Sequence, residues 1–307
     1  MVKVGVQSGG WYNDSDPLGS FEYIKECGFE AVDFNIDMYF STRELAASGK
    51  KNELFEKPVE EVLDFFTPLK KASEETGVIV SQMHAPFPVF YPGMPEVNEY
   101  ILTVLDKCFA VCEYVGCPAI VVHPTEFDFS VEYERNLEIY RGLIPVIKKY
   151  NGVKICLENL FNTRANGVNG EGRLSNADDC VKMLDTLNAE AGGDYFGFCF
   201  DIGHANLSRR NVKSFVTTLG KRLTVMHVHD NDGIMDLHMI PYSYLTPAKV
   251  PYCDWTGFVE GLKDIGYDGT IAFETFRIFR AYPKGAHTAA LQLISAIGRC
   301  WVEELSK

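Results

Sequence analysis

Short apolar runs, most of them closed by a polar or ionisable residue, alternate along the chain with longer stretches whose apolar positions recur at helical spacing. The runs cover residues 2–7, 31–35, 79–84, 119–123, 154–158, 196–201, 223–227 and 270–274. Their length and apolar character predict β-strands. Helices are predicted near residue 20 up to the stop at Gly28, and over 58–76, with Pro58 suited to the first turn. A third covers 96–115, where Ile101, Leu105, Cys108, Cys112 and Val115 share one face. The remaining helices are expected over 131–150, 177–187, 212–219, 255–265 and 286–304, and a long polar loop separates residues 35 and 58. Eight strand–helix pairs with no linker predict one domain, 1–307, of the α/β class: a (β/α)8 TIM barrel. An open doubly wound sheet would need a glycine-rich phosphate turn after the first strand, and Ser8-Gly9-Gly10-Trp11 does not fit that fingerprint.

Composition narrows the class. A chain of 307 residues with 46% hydrophobic and 23% charged positions reads as a soluble globular protein. No apolar stretch approaches the roughly 20 residues that span a bilayer. The opening Met1-Val2-Lys3-Val4-Gly5-Val6 reads as a strand and not as a signal peptide, so the expected location is the cytoplasm, with no membrane partner. Nine scattered cysteines without a Cys-x-x-Cys pair are expected to be reduced, buried thiols. A net charge of −13 and the lack of any basic run argue against nucleic acid as a partner.

The ends of the runs carry the chemistry. His84, His123, Glu158, Asp201, His227 and Glu274 close six successive strands, the position from which a β/α barrel presents its active site. Imidazole and carboxylate in this mixture are ligands for a divalent ion such as zinc or manganese. Glu158 and Glu274, on the fifth and eighth strands, can approach a substrate from opposite sides. Further polar groups follow in Asp201-Ile202-Gly203-His204, His227-Val228-His229-Asp230-Asn231-Asp232 and Asp236-Leu237-His238. His229 is expected to face away from His227 and to support the site without binding metal. Trp11, Tyr12, Phe87, Phe90 and Tyr91, in the loops after strands one and three, either wall the pocket or pack those loops. Arg164 and Arg173 are the candidates to hold a phosphate or carboxylate. His287 is expected at the surface, and Trp255 in packing.

The segments His84-Ala85-Pro86, His123-Pro124, Leu157-Glu158-Asn159, Asp201-Ile202-Gly203-His204, Met226-His227 and Phe273-Glu274-Thr275 give the whole chain a resemblance to a known family. It resembles the sugar phosphate isomerase/epimerase family of xylose isomerase-like TIM barrels, which includes relatives of D-tagatose 3-epimerase and of endonuclease IV. Resemblance to the epimerases implies one divalent ion (Mn, Zn or Co) held by Glu158, Asp201, His227 and Glu274. It also implies proton exchange between the two glutamates and a substrate carbon, through a metal-stabilised cis-enediolate. Resemblance to endonuclease IV instead implies further zinc ions on a set enlarged by His84, His123, His204, Asp236 and His238, all present here. In a sugar enzyme those five would contact substrate. Asn231-Asp232-Gly233-Ile234 stands where the epimerases carry an arginine, and the segment from His227 to Asp236 is shorter than endonuclease IV implies. The resemblance therefore implies a small-molecule sugar, sugar phosphate or sugar acid as substrate, and is compatible with a homo-oligomer. A zinc phosphoesterase and an inosose-type dehydratase are the alternatives.

Overall fold

The computed structural model describes residues 2–163 and 167–307. Its main sheet has eight parallel strands: β1 (Lys3–Gln7), β2 (Ala31–Phe34), β3 (Ile79–His84), β4 (Ala119–Val122), β5 (Lys154–Glu158), β8 (Phe196–Asp201), β9 (Leu223–His227) and β10 (Thr270–Phe273). They are hydrogen-bonded in the order β10-β1-β2-β3-β4-β5-β8-β9. Val228 N–H bonds to Ala272 O at 2.9 Å and Glu274 N–H to Val228 O at 3.0 Å, which joins the two outer strands and closes the ring. The expected (β/α)8 barrel is what forms.

Alternation along each strand explains why the runs look uniformly apolar. Ile155 and Leu157 on β5, and Phe196, Phe198 and Phe200 on β8, point outward into the core shared with the helices. Residues of the other parity, Ala119, Val121, Cys156, Cys199 and Val225, form a separate small cluster inside the ring. Both faces are thus buried, as parallel strands require. One step further along this inner parity come His123, Glu158, Asp201 and His227, so the polar site sits on a dry floor.

The outer layer is built from amphipathic helices: α1 (Pro17–Glu26), α3 (Val59–Thr76), α4 (Pro95–Val115), α5 (Glu132–Ile147), α6 (Ala177–Ala191), α8 (Val212–Leu219), α9 (Trp255–Ile265) and α11 (His287–Leu305). On α4 the buried stripe runs through Ile101, Leu105, Cys108 and Cys112, as its spacing predicts. The helix stops at Gly116, whose φ of 75° is the left-handed conformation that glycine adopts without steric cost. Pro58 stands at the N-cap of α3 instead of inside its first turn.

Local capping adds elements that periodicity does not reveal. The 36–57 segment contains a 3-10 turn (Ile36–Tyr39) and α2 (Thr42–Ser48), which starts where Ser41 accepts a hydrogen bond from Glu44 N–H. A hairpin, β6 (Phe161–Thr163) with β7 (Asn169–Glu171), follows β5. Helix α7 (Ile202–Leu207) begins on Asp201 itself, whose carboxylate accepts the His204 N–H at 2.6 Å. A short turn, α10 (Ile278–Ala281), follows β10. All nine cysteines are free and all but Cys300 are buried. Among the described residues no helix is long and apolar enough to cross a membrane.

Candidate functional site

A cavity of about 700 Å³ opens at the carboxyl ends of the strands, lined among others by His84, His123, Glu158, His204, Asp236, His238 and Glu274. The polar cluster beside it centres on His227, which is fully buried. Nδ1 of this imidazole lies 3.4 Å from Glu158 Oε2, 3.6 Å from Glu274 Oε2 and 4.0 Å from Asp201 Oδ2. Asp201, His227 and Glu274 each bring one ligand atom within 4.8 Å of the others, and Glu158 does so with His227 and Cys199. The carboxylates of Glu158, Asp201 and Glu274 therefore converge on one nitrogen of His227, the fourth expected metal ligand.

Glu158 also belongs to a second group. His123 Nε2 is 2.8 Å from Glu158 Oε2 and 3.0 Å from His84 Nε2. On the other side of the centre, Asp236 Oδ2 lies 2.8 Å from His238 Nε2 and 3.6 Å from His204 Nε2. His204 Nδ1 returns to Glu158 Oε1 at 3.2 Å. All five additional candidates are thus gathered around the four.

The expectation for His229 is corrected. It does not face away: its Nε2 is 3.2 Å from Asp201 Oδ2, and its ring stacks on His238 with centroids 4.0 Å apart. Residues two apart on an extended strand share a face, so His229 follows His227 into the site. Six of the chain's seven histidines meet here, which packing alone does not explain.

Charge in the cluster is balanced internally. Among the described residues, none of Glu158, Asp201, Asp236 and Glu274 pairs with lysine or arginine; their partners are imidazoles. Burial opposes charge on His204, but Asp201 and Asp236 outweigh it and hold the imidazole well above its ordinary value. Burial is likewise overcome at His227, by Cys199, Glu274 and Glu158, and at His229, which Asp201 brings to about 9. At His123 burial prevails over Glu158 and lowers the value. Burial raises the Glu158 carboxyl, yet His123 and His227 win and hold it well below the usual carboxylate range.

These shifts mark a site that demands positive charge. Both nitrogens of His227, Oε2 of Glu158, Nδ1 of His229 and Oδ1 of Asp236 are buried without a well-aligned hydrogen bond. Orphaned donor and acceptor atoms of this kind carry a desolvation penalty unless something else satisfies them. A divalent ion with nitrogen and oxygen ligands fits that need.

Other sequence candidates lie elsewhere. Phe87 does wall the cavity, its ring 4.7 Å from that of His123. Trp11 does not: its indole N–H bonds to Gln7 O at 2.7 Å, and its ring packs edge-on against Tyr12 and Phe21. Tyr12 takes its place on the lining. Phe90 lines a different, largely apolar cavity of about 720 Å³ with Leu102, Leu105, Ile139 and Leu143. Tyr91 packs its loop, with its hydroxyl 3.3 Å from that of Thr42. Arg173 is also displaced, because the β6–β7 hairpin carries it to a neighbouring cavity of about 200 Å³, where it pairs with Glu126 at 3.1 Å. Arg164 lies outside the described residues. His287 is half-buried against Phe279, and Trp255 stacks on Trp301. In the stretch that lacks the epimerase arginine, Asn231 ties the loop to α7 through Asn206 and Gly203.

Several site residues escaped sequence reading. Gln7 donates to Glu274 Oε1 at 2.7 Å, and Asp33 Oδ2 is 3.1 Å from His227 Nε2. Asn159 exchanges two hydrogen bonds with the Asp201 backbone, at 2.8 and 2.9 Å. Gln7 and Asp33 stand at the inward parity of β1 and β2, a signal that strand pattern alone contained.

Comparison with known proteins agrees with this geometry. The family described as xylose isomerase-like TIM barrel matches residues 21–295. An uncharacterized protein of Methanocaldococcus jannaschii is 29% identical over 210 residues, a match covering 64% of this chain and 64% of that protein. The fold is shared with a D-tagatose 3-epimerase-like protein, at 22% identity and TM-score 0.68 over 99% of this chain and 98% of the other. It is shared too with the IolI protein described with a bound zinc atom, at 15% identity and TM-score 0.69 over 99% of both chains. This chain belongs to the xylose isomerase-like TIM barrel family.

Proposed function

We propose that the protein is a divalent-metal-dependent isomerase or epimerase of a small sugar or sugar derivative. The observation that carries this reading is the approach of Glu158 and Glu274 to the same nitrogen of His227, at 3.4 and 3.6 Å, beside Asp201. Glu158, Asp201, His227 and Glu274 would hold the ion. When bound, it would draw electron density from a sugar carbonyl and acidify the adjacent carbon. The likeness to a D-tagatose 3-epimerase-like protein and to zinc-bound IolI supports the same reading.

The chain's own groups then account for proton movement. One glutamate takes the proton from carbon, and the other returns one. Each is oriented for this task. Glu158 is flanked by His123 and His204, and Glu274 by Gln7 and His238. His84, His123, His204, Asp236 and His238 line the cavity and would receive the sugar hydroxyls. Tyr12, Phe87 and Phe276 line it too and would limit water around the reacting carbon. Return of the proton to the same carbon gives an epimer, and to its neighbour an isomer.

The test is a panel of ketoses, aldoses and their phosphates incubated in D₂O with manganese, cobalt or zinc. Deuterium entering a carbon without loss of water supports the reading. Loss of water points to a dehydratase, and no exchange from any sugar opposes it.

One observation favours a second reading, a polynuclear zinc phosphoesterase. His84, His123 and Glu158 bring ligand atoms within 4.8 Å of one another, a group that shares Glu158 with the central one. Metal stoichiometry distinguishes the two. The net charge of −13 weighs against a nucleic-acid substrate.

A further inference from the structure

We infer that the cavity takes a sugar carrying a terminal anionic group, phosphate or carboxylate, and that Arg280 receives that group. The inference rests on the isomerase or epimerase reading above and names the substrate class for it. Arg173, which the sequence offered for this role, pairs with Glu126 beside a neighbouring cavity instead.

The cavity wall carries Glu158, Asp236 and Glu274 but, among the described residues, a single lysine or arginine, Arg280. This residue sits on α10, in the loop after the last strand, a region from which β/α barrels commonly hold a substrate's phosphate. Its neighbours fix the turn that presents it. Ile278 is fully buried, and the Phe279 ring lies so close to Gly10 that a Cβ there would collide with it. Arg280 itself is exposed at the mouth.

The guanidinium has no partner of its own. Arg135, Arg141, Arg173, Arg210 and Arg222 each pair with a carboxylate. Among the described residues none pairs with Arg280, not even Asp37, which lines the same cavity and accepts instead from Asn35 at 3.1 Å. Two more arginines without a carboxylate partner flank the mouth. Arg43 lies 5.5 Å from the ring centre of Phe87 and Arg277 5.9 Å from that of Phe276, and both rings line the cavity. In a chain of net charge −13 these three cations set a local field that admits an anion where the protein as a whole repels one.

The backbone next to α10 is open to the same kind of ligand. Gly9 and Gly10 form a turn on the cavity wall, with Gly10 at a φ of 90°, and no acceptor among the described residues takes either N–H. Successive free N–H groups in a turn bind anions. A guanidinium beside them adds a planar fork that matches phosphate or carboxylate oxygens. A neutral sugar would use neither device.

The experiment compares full-length, metal-loaded wild type with Arg280→Gln and Arg280→Lys by deuterium exchange, with neutral sugars, sugar phosphates and sugar acids as separate arms. Because Arg280 is exposed, neither change disturbs a packed core. Wild type should favour one anionic class, and the responding arm tells phosphate from carboxylate. The ratio of kcat/KM for that class to kcat/KM for its neutral counterpart should fall by about ten- to a hundredfold in Arg280→Gln, the scale of hydrogen bonds to a charged group. Lysine keeps the charge and should restore part of the preference. Wild type that uses neutral sugars as well as charged ones, or an unchanged ratio in Arg280→Gln, overturns the inference and leaves the isomerase reading standing. Binding of inorganic phosphate, followed by ³¹P line width, separates the opposite case. If no sugar exchanges deuterium yet phosphate binds about tenfold or more weakly to Arg280→Gln than to wild type, the isomerase reading falls and the anion site at Arg280 stands. Phosphate that binds both proteins equally overturns the site.

Discussion

Nε2 of Gln7 donates a 2.7 Å hydrogen bond to Oε1 of Glu274, so the first barrel strand holds the carboxylate at the tip of the last. The register places Val6 opposite Phe273, which brings the following residues, 7 and 274, side by side. With Oε1 engaged, Oε2 is left facing His227 and His238, at 3.6 and 3.4 Å. Gln7→Leu should release this constraint and lower turnover by about ten- to a hundredfold, the scale of one hydrogen bond to a charged group. Unchanged kcat in a folded Gln7→Leu protein would mean that Glu274 is oriented by other contacts.

Glu158→Gln and Glu274→Gln each remove one proton carrier while preserving shape. Turnover should fall by about 10² to 10⁴ in either variant, with the circular dichroism spectrum intact. Near-normal deuterium exchange in one of them would take that residue out of the reaction.

The number of ions is decided at His238, which contacts Asp236 and Glu274 but not the His227 nitrogen. With a single ion, His238→Ala should weaken substrate binding and keep metal content unchanged. Elemental analysis showing about one equivalent lost per chain would establish a polynuclear centre instead.

Acid–base linkage predicts how the metal-free protein responds to pH. His229 has a folded value of about 9, raised from 6.5. Its contribution to stability is fully present below pH 6.5 and is lost as pH rises through 9, because the folded state then releases the proton that Asp201 was stabilising. His204 and His227 are raised in the same sense. Glu158, lowered, acts oppositely: its contribution is present above its unfolded value of 4.5 and disappears on acidification. The melting temperature in chelator should therefore decline from neutral pH toward alkaline pH. Added zinc or manganese should offset the decline, since the ion replaces those protons. A melting temperature that stays level across this range would contradict the charge balance described for the cluster.

Gly203, in the first turn of α7, is required by close approach. A Cβ there would run into the His229 ring, which cannot retreat while it bonds to Asp201 and stacks on His238. Gly203→Ala should cost about 1–3 kcal/mol, the scale of overpacking in a core, and should also weaken metal binding. Chemical denaturation together with chelator competition measures both effects.

The barrel was legible because its evidence is local. Eight apolar runs of strand length, separated by helical periodicity, leave little choice of fold, and Glu158, Asp201, His227 and Glu274 stand out because each is polar where its run ends. Periodicity failed where local hydrogen bonds, and not burial, define an element. Ser41 starts α2 and Asp201 starts α7 by accepting backbone N–H groups, and neither event alters the apolar pattern.

What the sequence by itself determined is the inner and outer parity of each strand, since burial on both faces of a parallel ring constrains every second residue. It therefore determined which acids and imidazoles share one end of the barrel. Only the closed ring decided their pairing. Asp33 meets His227 and Gln7 meets Glu274 across strands that are distant in the chain. Arg173, three residues beyond Gly170 of the hairpin, is carried out of the cavity by a turn no periodicity encodes. The reason is physical: alternation is a property of one strand, whereas distances across a barrel depend on closure, stagger and the side chains that fill the middle.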